Sequence, residues 1–142
     1  MSATSAVWRQ RLRRLMRPAW LGTLRRVTPL SRRWGEDRGT PVDRWYIARF
    51  LDAHRADIRG RVLEVKDGGY TRRFGHDVTA LDVLDIYAAN PEATIVADLT
   101  AADGIPASSY DCFLLTQTLQ FIGEPRLALQ HAHRILRPGG VL

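Results

Sequence analysis

Four short apolar runs, at 61–65, 78–81, 94–97 and 111–116, constrain this chain more than any other feature. The last, DCFLLT, is apolar almost throughout, as a strand buried on both faces is. Between the runs lie helical and loop signals. Apolar strands alternating with helices predict an α/β fold, a Rossmann-like doubly wound parallel sheet. The expected strand order is 3-2-1-4. A helix is predicted over 44–56, capped by Asp43, with Trp45, Ile47, Ala48, Phe50 and Leu51 on its apolar face. A second helix is predicted over 127–136, stopped by Pro138-Gly139-Gly140. Val141-Leu142 then opens a fifth strand.

The chain has 142 residues, enough for one domain, and a formal net charge of +6. That charge is localised. Residues 1–38 carry ten arginines against Glu36 and Asp37, whereas 39–142 is mildly acidic. This predicts a basic amphipathic N-terminal arm, 1–38, followed by a partial domain, 39–142. The arm reads as one helix over 6–26, or two short ones divided at Pro18, with Trp8 and several leucines on one side and arginines on another. Packing against the domain is the preferred role, and an anionic membrane surface or partner is the alternative. No sequence-specific nucleic-acid contact is expected. No run approaches the ~20 apolar residues of a membrane span. The start lacks the pattern of a secretory signal. The only cysteine, Cys112, precludes an internal disulfide, and the expected location is cytoplasmic.

In a doubly wound sheet, ligands bind outside the carboxyl ends of the strands. Glu64 lies in the first predicted strand, Asp82 ends the second and Asp98 ends the third. The Gly68-Gly69 pair allows close backbone approach to a ligand. An acid about 18–20 residues beyond the first turn suits ribose hydroxyls, and Asp82 follows Glu64 by 18. KDGGYT is not the G-x-G-x-x-G of a nicotinamide-binding turn. The histidines show no metal-ligand spacing, so no metal is expected. No residue is singled out as catalytic.

The order VLEV-x-D-G-G, then an acid after the second strand, then ADLTAADGIPASSYDCFLLTQTLQFI, then HRILRPGGVL, resembles the class I S-adenosylmethionine-dependent methyltransferases of the type 11 group. The upstream WG-x-DRGTPVDR segment, 34–44, extends the similarity to a bacterial subgroup. The resemblance implies an S-adenosyl-L-methionine cofactor and a small-molecule methyl acceptor. It places Glu64, Asp67, Gly68, Gly69 and Tyr70 beside the methionine moiety. It gives the ribose to Asp82, the adenine to Asp98 with the Leu99 N–H, and the transferred methyl to Thr116 and Gln117. The chain departs from the family at two points. Lys66, its only lysine, stands where the family has its first glycine, and general members also have glycine at Tyr70. The family's seven-stranded sheet is expected to lack its last two strands and most of its fifth, leaving strand four with an open edge. Impaired activity is therefore expected, and a non-catalytic remnant or arm-mediated binding protein is the alternative.

Overall fold

The computed structural model describes residues 27, 28 and 40–142. The predicted arm helix and the 34–39 part of the upstream segment lie outside these residues. The chain divides into two units, 1–47 and 48–142. Helix α1, Val42–Ala53, runs through the boundary. Of the apolar face predicted for it, Leu51 is buried, Ile47 and Ala48 are half-buried, and Trp45 and Phe50 are exposed.

The second unit is a five-stranded sheet in the order β3-β2-β1-β4-β5, with every pairing parallel. The strands are β1 (Gly60–Val65), β2 (Val78–Asp85), β3 (Ile95–Val96), β4 (Tyr110–Leu114) and β5 (Leu136–Val141). Helix α2, Gly69–Phe74, joins β1 to β2, and α3, Pro125–Ile135, joins β4 to β5. Because side chains alternate across a strand, the sheet buries residues on both faces. Leu63, Leu84 and Phe113 form one core with Ala128, Ala132 and Ile135 of α3 and with Leu99, Ala102 and Ile105. Val62, Val83 and Cys112 are also buried. Pro125 starts α3, where its missing N–H costs nothing, and the three buried α3 residues fall four and three apart on one stripe.

Two boundaries differ from the sequence reading. The run 136–141 is a strand despite its Pro-Gly-Gly, so β4 does not present an open edge; β5 pairs with it from Tyr110 to Cys112. Arg137 anchors this pairing by donating to both oxygens of Asp111, at 2.8 and 2.9 Å. Second, β2 does not end at Asp82. It runs three residues further, to Asp85. Asp82 pairs with Leu63 inside the sheet. A partly buried carboxylate inside a strand requires partners. Arg61 supplies two hydrogen bonds, Tyr110 one and Thr94 one.

Candidate functional site

The carboxyl edge of the sheet is built around the turn between β1 and α2. Glu64 is 2% exposed and accepts from the backbone N–H groups of Tyr70 (3.0 Å) and Thr71 (2.8 Å). Its burial raises the carboxyl above the usual glutamate value, and these hydrogen bonds oppose that shift. Asp67 accepts from Gly69 N–H at 2.9 Å. Glu92, arriving from beyond β2, accepts from Gly68 N–H at 3.5 Å and from Arg72 at 2.9 Å. The Arg72 bond, then the Gly68 bond, lowers the Glu92 carboxyl. The four N–H groups that a helix start leaves without helical partners are therefore all turned to carboxylates of the chain itself.

This occupancy decides which ligand charge the turn accepts. A phosphate-binding turn presents free N–H groups to an anion. Here an anion meets Asp67 and Glu92 instead, with Asp85 at the adjoining end of β2, while Glu64 lies buried beneath the turn. Lys66 and Arg72 offset only part of that negative charge. The edge favours a cation and disfavours a pyrophosphate.

Lys66 is exposed and has φ +77°. A residue with a Cβ pays about 1–2 kcal/mol for that left-handed backbone, which glycine adopts freely. The backbone at this turn thus has the conformation of a glycine with a lysine in its place. No ion pair joins Lys66 to Glu64 or Asp67 among the described residues. Gly68 has φ −92°, and a Cβ there meets Leu81 Cδ2 at 2.7 Å and the Arg72 guanidinium beyond 3 Å, both ends of flexible side chains that can shift.

The end of β2 lies alongside. Lys66 N–H donates to Leu84 O at 2.9 Å, which sets Lys66 level with Asp85 across the two strands. Asp85 accepts from Tyr87 N–H (3.0 Å) and from Asn90 Nδ2 (2.6 Å). Asn90 Nδ2 also donates to Lys66 O at 2.6 Å. Asp98 follows β3 by two residues and caps the turn Leu99–Ala101 through Thr100 N–H and Oγ1, both at 2.8 Å from Oδ1. Those bonds, the backbone one first, hold its carboxyl below the usual aspartate range. Leu99 is buried. Thr116 and Gln117 lie just past β4. Thr116 is half-buried, and exposed Gln117 accepts from Gln120 at 2.8 Å.

The structure thus gathers Glu64, Asp67, Gly68, Gly69 and Tyr70 into one turn and sets Asp98, Leu99, Thr116 and Gln117 beyond the ends of neighbouring strands. Asp82 does not join them. Asp85, Asn90 and Glu92 escaped the sequence reading. The sequence signal for Asp85 is the apolar pair Val83-Leu84, which continues the strand through the first acid to a second.

A family model described as "Methyltransferase domain" matches residues 65–142. Among solved structures the chain is similar to a candidate S-adenosyl-L-methionine-dependent methyltransferase from Methanococcus maripaludis, at 18% identity and a TM-score of 0.45. The similarity covers 67% of this chain and 57% of that protein, so the chain spans little more than half of its length. No curated protein matches the chain.

Proposed function

The chain belongs to the methyltransferase-domain family, and we propose that the carboxyl edge of β1 to β4 holds S-adenosyl-L-methionine for methyl transfer to a small-molecule acceptor. The carrying observation is the turn at 68–71, whose four N–H groups are all committed to carboxylates. That turn suits a ligand bearing a sulfonium and an ammonium, and it does not suit a dinucleotide.

The residues fit the cofactor with one substitution in the expected set. Asp85, not Asp82, stands at the strand end where ribose hydroxyls need an acceptor. Each of its oxygens keeps a lone pair beyond the bonds it already accepts. Asp98 keeps Oδ2 for an amino group, with Oδ1 committed to Thr100. Glu64 fixes the turn, and Thr116 and Gln117, just past the end of β4, would face the transferred methyl. When bound, the cofactor supplies a methyl group on an electrophilic sulfur. The chain's part is then alignment of donor and acceptor, because in-line displacement depends chiefly on approach geometry. Lys66 opposes binding by placing an ammonium near the sulfonium.

Calorimetric titration with S-adenosyl-L-methionine, S-adenosylhomocysteine and a nicotinamide dinucleotide tests this reading. Binding of the two adenosyl compounds with none of the dinucleotide is expected. Dinucleotide binding alone overturns it.

A further inference from the structure

The strained backbone of Lys66 is held from outside its own turn. Its side chain is exposed, so packing does not fix it. Its N–H is taken by Leu84 O, a bond that merely extends the β1–β2 ladder. Its carbonyl is gripped by a side chain, Asn90 Nδ2, at 2.6 Å. The same amide nitrogen donates to Asp85 Oδ2 at 2.6 Å, and Asn90 Oδ1 accepts from Glu92 N–H at 3.0 Å. Asn90 N–H donates to Tyr87 O at 3.1 Å, which fixes the Asn90 backbone as well. Both amide hydrogens and the amide oxygen of this half-buried asparagine are therefore in use. Two residues on, Glu92 holds Gly68 N–H and Arg72 of the same turn.

We propose that Asn90 is a positioning residue that holds Lys66 in the left-handed conformation a glycine adopts unaided, and so keeps the 66–69 backbone shaped for the cofactor. The inference rests on the cofactor reading above. It makes Lys66 and Asn90 a coupled pair: the asparagine is needed because the lysine is there. Loss of Asn90 lets Lys66 relax toward negative φ and turns its carbonyl. A glycine at 66 has no such preference, so the same loss leaves the turn in place.

A double-mutant cycle on the full chain tests the coupling with Asn90→Ala, Lys66→Gly and both together. S-adenosylhomocysteine is the binding probe, because its neutral sulfur removes any direct effect of the lysine charge. Asn90→Ala is expected to weaken binding about tenfold in the Lys66 chain and no more than about twofold in the Lys66→Gly chain, a non-additivity normal for contacting residues. Denaturant unfolding without ligand is the second readout. There the fall in midpoint caused by Asn90→Ala is expected to be at least about halved by Lys66→Gly. An equal loss in both backgrounds overturns the proposal and leaves Asn90 acting through Asp85 alone. If no adenosyl compound binds the parent chain, the cofactor reading fails, and the unfolding cycle still decides whether Asn90 holds Lys66.

Discussion

The Tyr110 hydroxyl donates a 2.8 Å hydrogen bond to Asp82 Oδ2, tying β4 to β2 across the strand between them. Arg61 completes the tie from that middle strand, with its guanidinium 2.8 Å from the same oxygen and 4.8 Å over the Tyr110 ring. Burial, and then the bond to Asp82, push the Tyr110 phenol up to about 12 from an ordinary 10.0. A group whose pKa is raised on folding adds stability below its unfolded value and loses it as pH rises through the folded one. Stability should therefore fall between about pH 10 and 12 as Tyr110 ionises. Tyr110→Phe should remove that part of the alkaline fall and cost about 0.5–1.5 kcal/mol at pH 7. Urea unfolding of both proteins across this range checks it. An unchanged alkaline fall in the variant assigns that titration to another group.

Asp82 and Asp85 are both aspartates of β2, and opposite outcomes are expected for them. Asp82→Asn strips the charge from a site that holds Arg61, Tyr110 and Thr94. It should cost about 1–3 kcal/mol of stability with little change in cofactor affinity. Asp85→Asn should lower affinity for S-adenosylhomocysteine about tenfold or more, near 1.4 kcal/mol, with a smaller effect on stability. Burial pushes the Asp82 carboxyl upward, but the bonds from Arg61 and Tyr110 prevail and hold it below the usual range. Its stability is thus present above the unfolded value and lost as pH falls through the folded one. Asp82→Asn should flatten that acid limb. Calorimetry and unfolding on both variants separate the two residues, and an affinity loss confined to Asp82→Asn reverses the assignment.

These two aspartates also mark how far the sequence could be read. Strand order and parallel pairing were legible because apolar runs must be buried and parallel strands need crossovers. The glycine pair was legible as a turn after the first strand, and α2 starts at Gly69; Glu64 and Asp67 were reached as site residues through the family resemblance alone. The error at Asp82 arose from ending a strand at its first acid. A charge inside a strand is tolerated when partners come from other strands, and Arg61 and Tyr110 lie 21 and 28 residues from Asp82. Local pattern cannot report such partners. β5 was obscured by Pro-Gly-Gly, which reads as a stop, yet proline and glycine are admitted where pairing is irregular, and the register between β4 and β5 shifts between Tyr110 and Cys112. Asn90 was invisible for a third reason: a side-chain amide gripping a backbone carbonyl 24 residues away leaves no periodic signal.

Lys66→Gly should act in two ways that different ligands separate. Relief of the φ +77° backbone should stabilise the unliganded chain, by about 1 kcal/mol at most, because glycine also loses more entropy on folding. Removal of the ammonium should favour the sulfonium compound over its neutral product. The ratio of affinities, S-adenosyl-L-methionine over S-adenosylhomocysteine, should rise severalfold, roughly the ~1 kcal/mol of an exposed like-charge contact. Parallel titrations at low and high salt give the charge part, which should shrink as salt rises. Equal gains for both ligands, insensitive to salt, would reduce the lysine's effect to backbone shape.

Glu64→Gln tests the pin of the turn itself. The carboxylate gives one oxygen to Tyr70 N–H and the other to Thr71 N–H. An amide has one oxygen, so it must set its own NH2 against one of those donors and leave that N–H unsatisfied. A buried donor without a partner costs about 1–3 kcal/mol. Glutamate has its own penalty, because burial raises its carboxyl above the ordinary 4.5. With a raised pKa, the contribution of Glu64 to folding is fullest below the unfolded value and declines as pH rises through the folded one. The glutamine carries no such titration. The cost of Glu64→Gln should therefore be largest below pH 4.5 and smaller at pH 8, while affinity for S-adenosylhomocysteine at pH 8 still falls about tenfold because the turn has lost one of its two bonds. Urea unfolding at both pH values and one titration measure this. A cost that grows with pH would mean that the ionised carboxylate is the form the fold favours, and that the two backbone bonds outweigh the burial of the charge.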